Sequence, residues 1–214
     1  MSEFLEIDQV WKSFRTAQVL KDISFTVEEG SIVGLVGRNG SGKTMLMKCI
    51  CGMIPVTSGE IRCQGRVIGK EIEMPPSTGA LIEEPGFLDN YNGFLNLKFL
   101  GKLKGIKNDA YLKDVLSMVG LNPDNKIAVG KYSMGMKQRL GIAQAIIGNP
   151  KLLLLDEPTG GLDNKGVEEI RVLLKKINEE GTTIIIASHI AEDISLLANK
   201  VITLDQGTIV NAAG

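Results

Sequence analysis

The chain has 214 residues, and its 24 lysines and arginines nearly balance 25 aspartates and glutamates, giving a net charge of −1. This balance excludes the basic excess typical of nucleic-acid-binding proteins, so we expect no nucleic-acid partner. The apolar runs are far shorter than the roughly 18 residues of a membrane span, and the start MSEFLEIDQV lacks signal-peptide features. The three cysteines, Cys49, Cys51 and Cys63, indicate buried, reduced thiols. We therefore expect one cytoplasmic domain over residues 1–214.

The first eighty residues have a mostly strand-like pattern. Alternating apolar and polar residues over FLEIDQVWKSF and VLKDISFTV predict two strands, and SIVGLVG predicts a buried strand. A helix is expected at residues 42–51. SGEIRCQGRVI then predicts a hairpin and TGALIEE another short strand.

The pattern changes near residue 85. NLKFLGKL and YLKDVLSMVGL carry apolar residues at spacings of three and four, which predicts a helical insert from about residue 85 to 131, within a helical subdomain of about residues 85–150. The predicted elements that follow are the helix MKQRLGIAQAII, the strand KLLLLD, the helix VEEIRVLLKKI, the strand TTIIIAS, a short helix, and the strands KVITL and TIV. Apolar strands that alternate with helices predict an α/β fold whose parallel sheet is covered on both faces.

The segment VGRNGSGKTM lies between a predicted strand and a predicted helix. It fits the spacing G-x-x-x-x-G-K-[ST] of a phosphate-binding loop. Missing Cβ atoms would let backbone N–H groups curl around a phosphate, and the helix start adds its positive end. Lys43 would face the terminal phosphates and the Thr44 hydroxyl would hold Mg²⁺. The predicted nucleotide-binding residues of this loop are Gly37, Arg38, Asn39, Gly40, Ser41, Gly42, Lys43, Thr44 and Met45.

A second group of candidate residues follows the strand KLLLLD. Asp156 and Glu157 end the strand, and Pro158 prevents the ladder from continuing. Asp156 would orient Mg²⁺ through a bound water, and Glu157 would act as the general base for an attacking water. Taken alone, the pair would also suit the N-terminus of the next helix.

The segment YSMGMKQR, residues 132–139, resembles the signature motif of ABC-type ATPases. Ser133 and Gly135 match that motif, whereas Met134 and Met136 depart from its usual Gly and Gln and are similar to drug- and peptide-exporter branches. The resemblance implies a P-loop NTPase core of the ABC type, with a mixed sheet, an N-terminal antiparallel β part and an inserted α-helical subdomain. It also implies that these four residues contact ATP bound by the partner subunit.

Three further positions match the same family. TGGLD resembles its D-loop, with Asp163 at the position that touches the opposing subunit. His189, the only histidine, resembles the switch histidine that contacts the γ-phosphate and orients Glu157. Phe14 matches the aromatic residue that stacks on adenine, although a phenylalanine in a strand is also typical of a core.

The loop LIEEPGF departs from the family pattern. Glu83 aligns with the glutamine that usually links the γ-phosphate and Mg²⁺ to the helical insert, so we expect it to contact ATP and Mg²⁺. A glutamate here resembles the ATP-binding subunits of bacitracin- and lantibiotic-type exporters. A shift of one position would place Glu84 there and leave Glu83 a solvated acid. Phe87 and Leu88 would either anchor a membrane partner's helix or lie buried under the insert.

The resemblance implies an ATPase that powers a membrane exporter of antimicrobial peptide, drug or lipid-like cargo. It implies ATP and Mg²⁺ as ligands, a head-to-tail homodimer in the ATP state, and a transmembrane permease on a separate chain. The chain would then be cytoplasmic and peripheral on the inner face of the membrane. Two alternatives stay open: a soluble ABC-type ATPase not coupled to transport, and a nucleotide sensor without turnover, which the presence of Asp156, Glu157 and His189 together disfavours.

Overall fold

The computed structural model describes residues 3–15 and 17–213. An antiparallel sheet contains the two N-terminal strands and the predicted hairpin, in the order β2-β1-β4-β5. Its strands are β1 (Glu3–Phe14), β2 (Ala17–Glu28), β4 (Ser58–Cys63) and β5 (Arg66–Val67). The alternating pattern of the sequence produces a sheet with one buried face, and the antiparallel β part is confirmed.

A second sheet of six strands forms the centre of the protein, in the order β10-β9-β3-β8-β7-β6. Its strands are β3 (Ile32–Val36), β6 (Thr78–Leu81), β7 (Leu152–Asp156), β8 (Thr183–Ser188), β9 (Lys200–Asp205) and β10 (Thr208–Ala213). Neighbouring strands run parallel except β10, which is antiparallel to β9. The sheet is therefore mixed, because a short turn joins the last two strands.

Six α-helices connect these strands within the described residues. They are α1 (Lys43–Ile50), α2 (Gly93–Leu103), α3 (Asp109–Met118), α4 (Met134–Ile146), α5 (Asn164–Glu179) and α6 (Ala191–Leu197). Helices α2, α3 and α4 all lie between β6 and β7 in the chain, where the insert was predicted. Asn92 and Asn108 begin α2 and α3, since each side-chain oxygen accepts backbone N–H groups of the first turn.

The central sheet divides the apolar core into two parts. Leu152 and Leu154 of β7 pack on one face with α1 and the antiparallel sheet, whereas Leu153 and Leu155 pack on the other face with the remaining helices. This alternation follows from the two-residue repeat of a strand. The cysteines are free and buried as expected, and burial raises the pKa of the Cys49 thiol to about 11.

Parallel strands end at the same edge of a sheet, and this edge carries most of the predicted site residues. Strands β6, β7, β8 and β3 are successive neighbours, so the segments that follow Leu81, Asp156, Ser188 and Val36 converge. Within residues 3–15 and 17–213, the helices are too short or too polar for any of them to traverse a lipid bilayer.

Candidate active site

A cleft lies at the convergent edge of the central sheet. It is lined by Val19, Asn39, Gly40, Ser41, Gly42, Lys43, Thr44, Met45, Lys48, Glu83, Asp156 and Glu157. The sequence predicted most of these residues, and the fold brings the lining together from four separate segments of the chain. Val19 of β2 and Lys48 of α1 are lining residues that sequence reasoning did not identify.

The phosphate-binding loop owes its shape to glycines used in two ways. Gly40 (φ 80°) and Gly42 (φ 110°) adopt the left-handed conformation, and Gly42 begins α1. A Cβ on Gly37 would lie only 2.3 Å from the Leu204 carbonyl oxygen of β9. Close packing against β9 therefore requires a glycine at position 37. The sequence had suggested only the approach of a phosphate as the reason for this glycine.

Lys43 is buried beneath this loop, with 6% of its surface exposed. Its Nζ atom donates hydrogen bonds to the carbonyl oxygens of Gly37 (2.7 Å) and Arg38 (3.3 Å). The Ser41 Oγ is also buried, and among the described residues it is the one buried side-chain nitrogen or oxygen without a hydrogen-bond partner. Buried polar groups normally have partners. A phosphate oxygen in the loop would accept from Ser41, so these residues fit a nucleotide phosphate.

Thr44 and Asp156 meet at the base of the cleft. The Thr44 Oγ1 donates a 2.6 Å hydrogen bond to Oδ2 of Asp156. Burial raises the pKa of the Asp156 carboxyl group above its ordinary value, and the nearby Glu157 and Glu83 add to this, while Thr44 and Lys43 oppose it. Burial therefore disfavours the charged form of this carboxyl group, and a cation bound beside it would offset that cost.

The oxygen ligands in the cleft are of the type that Mg²⁺ prefers. Thr44, Asp156 and Glu83 supply one hydroxyl and two carboxyl groups to the same cleft. In the described part of the chain, no three acidic, histidine or cysteine side chains converge closely enough to hold a metal by themselves. Proteins usually bind Mg²⁺ through one or two carboxylates together with the phosphates of a substrate, and the side chains of Thr44, Asp156 and Glu83 fit such a site.

Glu157 and His189 form a direct pair at the ends of β7 and β8. Nδ1 of His189 lies 2.7 Å from Oε2 of Glu157, and the backbone N–H of His189 donates to Oε1 at 3.1 Å. Glu157 itself has a left-handed backbone (φ 49°), and Gln138 of α4 donates to its carbonyl oxygen. A non-glycine residue in this conformation is strained, and such strain concentrates at functional sites.

Glu83, and not Glu84, lines the cleft beside Thr44 and Asp156. Its Oε1 lies 2.6 Å from Nζ of Lys48. Glu84 lines a neighbouring groove with Phe87, where the loop faces the start of α4. The geometry therefore favours the alignment that places Glu83 at the unusual loop position.

The signature segment begins α4. The Ser133 Oγ accepts a hydrogen bond from the Met136 N–H, while the Met134 side chain is 74% exposed. A Cβ on Gly135 would lie 3.1 Å from the Gly161 carbonyl oxygen, so this segment packs on the predicted D-loop. Asp163 caps α5 by accepting from the Gly166 N–H. In the part of the chain described, residues 133–136 do not line the cleft that holds Lys43.

Phe14 is not a core residue, because 45% of its surface is exposed at the end of β1. The Lys12 ammonium group lies 4.6 Å from the centre of its ring. Phe14 is also absent from the lining of the cleft described above, so its predicted contact with adenine stays a prediction.

Several contacts of the site had no sequence motif to predict them. Lys48 lies one turn after Thr44 on α1, and this helical spacing alone could have placed it near the cleft. Gln138 contacts Glu157 from α4. Asp193, a buried carboxylate in α6, accepts hydrogen bonds from Thr159 and Arg171. The contacts of Gln138 and Asp193 join residues far apart in the sequence, which residue spacing does not reveal.

Comparison with known proteins identifies the class. The model of the ABC transporter family matches residues 20–160, and the chain belongs to this family. It is an ATP-binding subunit of the ABC type, an ATPase, as the phosphate-binding loop and the signature segment predicted. The fold agrees with this class: the dimeric bacterial ABC transporter cassette MJ0796 superimposes with a TM-score of 0.88 at 23% identity, covering 98% of this chain and 97% of that one.

Three relatives illustrate the similarity within the family. The uncharacterized ABC transporter ATP-binding protein YybJ of Bacillus subtilis is 44% identical, over 96% of this chain and 94% of its own. The bacitracin transport ATP-binding protein BcrA of Enterococcus faecalis is 39% identical, over 98% and 69%. The lantibiotic transport ATP-binding protein SrtF of Streptococcus pyogenes is 36% identical, over 96% and 89%.

Proposed function

We propose that this chain is the ATP-hydrolysing subunit of an exporter for antimicrobial peptides of the bacitracin or lantibiotic type. Similarity to BcrA and SrtF over nearly the whole chain supports this cargo class. The observation that carries the ATPase chemistry is the convergence of Lys43, Asp156 and Glu157 in one cleft. Residues 1–214 would form one ATPase domain, with a helical subdomain at about residues 85–150.

Lys43 and the loop around it would bind the phosphates of ATP. The Lys43 ammonium group would exchange its carbonyl partners for phosphate oxygens, and the Ser41 hydroxyl would gain the partner that it lacks. Gly40 and Gly42 leave the backbone N–H groups accessible. Arg38, Asn39 and Met45 would complete the loop, and Phe14 would stack on adenine.

Thr44, Asp156 and Glu83 would hold Mg²⁺ in the cleft. When bound, this ion neutralises negative charge on the phosphates. It would also stabilise the charged form of Asp156, whose pKa is raised mainly by burial. Lys48 would keep the Glu83 carboxylate at the cleft through their ion pair.

Glu157 would act as the general base for the attacking water, oriented by His189. The imidazole and the backbone N–H of His189 hold both carboxylate oxygens, so the side chain has a defined direction. A base positioned in this way accelerates hydrolysis by about 10²–10⁴-fold. His189 is 62% exposed and is therefore free to contact the terminal phosphate.

Two copies of the chain would combine head to tail in the ATP state. Ser133, Met134, Gly135 and Met136 precede or begin α4, and the N-terminus of a helix attracts an anion. Because this segment does not line the cleft of its own chain, it would contact ATP bound by the partner, with Asp163 at the interface. Neither copy would then complete a site alone.

A transmembrane permease on a separate chain would carry the cargo. The loop over residues 83–88 would contact it, since Leu88 is 51% exposed while Phe87 packs against the helical core. The chain would reside in the cytoplasm on the inner face of the membrane. With a net charge of −1, the chain lacks the basic excess of nucleic-acid-binding proteins, so we propose no nucleic-acid partner.

Gentle extraction of the tagged chain from its native membranes, followed by mass spectrometry, tests the transport role. We expect a stoichiometric partner with several spans of about 20 apolar residues, and bacitracin or lantibiotic sensitivity when the chain is deleted. Recovery with ribosomes or with no partner would favour an ATPase that is not coupled to transport. Unchanged sensitivity to both peptide classes would contradict the proposed cargo.

A further inference from the structure

Asp193 is a buried carboxylate behind the Glu157–His189 pair, with 1% of its surface exposed. Its Oδ1 accepts hydrogen bonds from Nε (2.9 Å) and Nη2 (2.6 Å) of Arg171. Its Oδ2 accepts from the Thr159 hydroxyl at 2.5 Å. A buried carboxylate is costly unless it is paired and hydrogen-bonded, and here both oxygens are satisfied. The group is therefore well ordered by its neighbours.

This carboxylate joins the two segments that carry the catalytic pair. Thr159 lies two residues after Glu157, and Asp193 lies four residues after His189 in the first turn of α6. The Ser188 hydroxyl accepts from the Ile190 N–H at 3.0 Å and approaches Oδ2 of Asp193 at 3.5 Å. Ser188 and Asp193, which belong to the same hydrogen-bond network, therefore lie on either side of His189 in the chain.

Arg171 connects the network to a rigid element. It lies in the middle of α5, a helix of 16 residues, and it is 8% exposed. The Glu157 backbone, by contrast, is in a strained left-handed conformation that its surroundings must maintain. The Thr159 hydroxyl is the link between that strained segment and the Arg171–Asp193 pair.

We propose that Asp193 is a positioning residue for ATP hydrolysis, because its buried carboxylate holds Thr159 and the start of α6 at the separation that the Glu157–His189 contact requires. The proposal rests on the roles assigned above to Glu157 and His189. Asp193 is buried and does not line the cleft, so it acts by fixing the relative position of the two segments. Losing this link misplaces the base without altering the phosphate-binding loop.

The first test compares turnover with nucleotide affinity in the purified full chain. Thr159→Val removes the hydroxyl at nearly constant volume, and Asp193→Asn weakens the same link. Each should lower kcat by about 10- to 100-fold, the effect of a small misplacement of a catalytic group, with KM and ATP affinity unchanged. Thr159→Ser should restore most of the turnover. The matched control is Glu192→Gln, because this neighbour of Asp193 also faces Arg171 but its side chain is 70% exposed.

A double variant separates positioning from a general structural role. If Thr159 acts through the pair, Thr159→Val should cause no further loss of turnover in a His189→Ala background. If the double variant loses turnover by the product of the two single losses, the proposal is overturned. An unchanged kcat in both Thr159→Val and Asp193→Asn would also overturn it. Should Asp193→Asn fail to fold, Thr159→Val decides the question, because it leaves the Arg171–Asp193 ion pair intact.

The controls Glu157→Gln and His189→Ala test the underlying assignment. Near-normal turnover in both would remove those residues from catalysis, and the positioning proposal would fall with them. If both lose turnover while Thr159→Val and Asp193→Asn keep it, only the positioning proposal fails.

Discussion

Nζ of Lys48 lies 2.6 Å from Oε1 of Glu83, so the acidic residue at the unusual loop position is paired with a cation of α1. The pair links the loop after β6 to the helix that follows the phosphate-binding loop. Because the Glu83 side chain is 58% exposed, such a pair contributes at most about 1 kcal/mol to stability. In the proposed site, the importance of the pair would lie in the charge that it presents to bound nucleotide.

We predict that Lys48→Gln weakens ATP binding by about 2- to 5-fold, as expected for loss of a partly exposed charge partner. The change leaves the Glu83 carboxylate unpaired beside the phosphates. In the absence of Mg²⁺, Glu83→Gln in the same chain should restore the affinity, since it removes a negative charge that neither Lys48 nor the ion then compensates. Isothermal titration of the unchanged chain, the two single variants and the double variant measures this coupling. Equal effects of Lys48→Gln with and without Glu83 would show that the two residues act independently.

Glu157→Gln should reduce ATP turnover by about 10²–10⁴-fold, because the amide cannot accept the proton of the attacking water. ATP binding should persist, so the variant should accumulate as an ATP-bound dimer on size-exclusion chromatography. Glu179→Gln, an exposed change in α5, serves as the control. Near-normal turnover would remove Glu157 from the role of base.

Lys43→Ala should weaken ATP binding by about 10- to 100-fold, from the 1.5–3 kcal/mol typical of hydrogen bonds to charged groups. It should also lower the melting temperature, because the loop loses the bonds to the Gly37 and Arg38 carbonyls. Lys175→Ala, an exposed lysine of α5, is the matched change. Fluorescence titration with a nucleotide analogue provides the affinity, and an unaltered value would refute the phosphate-binding assignment.

Because of Asp156, the stability of the protein without bound nucleotide should fall as the pH rises. Its pKa is raised in the folded state, so the folded protein holds this proton more tightly than the unfolded chain does. The resulting stabilisation is complete below the ordinary pKa of about 4 and is lost as the pH rises through the raised value. Asp156→Asn should therefore increase the melting temperature at pH 7 and have little effect below about pH 4.

Thermal melts across that range, with Asp114→Asn as an exposed control, measure the difference. The same Asp156→Asn variant should lose the stabilisation that Mg²⁺ adds in the presence of ATP. A melting temperature that falls at pH 7 would indicate that the Thr44 hydrogen bond, and not burial, dominates the environment of Asp156.

Ser133→Ala should impair dimer closure more than nucleotide binding by the monomer. In the Glu157→Gln background, the ATP-bound dimer should require more nucleotide or more protein to form. Loss of the helix cap itself costs about 1 kcal/mol, so Asn108→Ala, which removes the cap of α3, is the matched control. Equal loss of dimer in both variants would assign the effect to helix stability alone.

Much of the fold could be predicted from local sequence pattern. Continuous apolar runs identified β7 and β8, and alternation identified β1 and β2, because each pattern reflects the burial of one or both faces of a strand. The sequence could not decide between Glu83 and Glu84, or between burial and exposure for Phe87 and Leu88. Those choices depend on which elements pack beside the loop.

The sequence by itself determined the family, the nucleotide-binding loop and the candidate residues, because phosphate-binding chemistry requires particular residue types at short, fixed spacings. Only the tertiary structure decided which of them meet. Thr44 and Asp156 are 112 residues apart, and Glu157 and His189 are 32 apart. These contacts arise from the order of the parallel strands and the packing of α5 and α6, which no local spacing encodes. The same holds for the Lys48–Glu83 pair and for the buried carboxylate of Asp193.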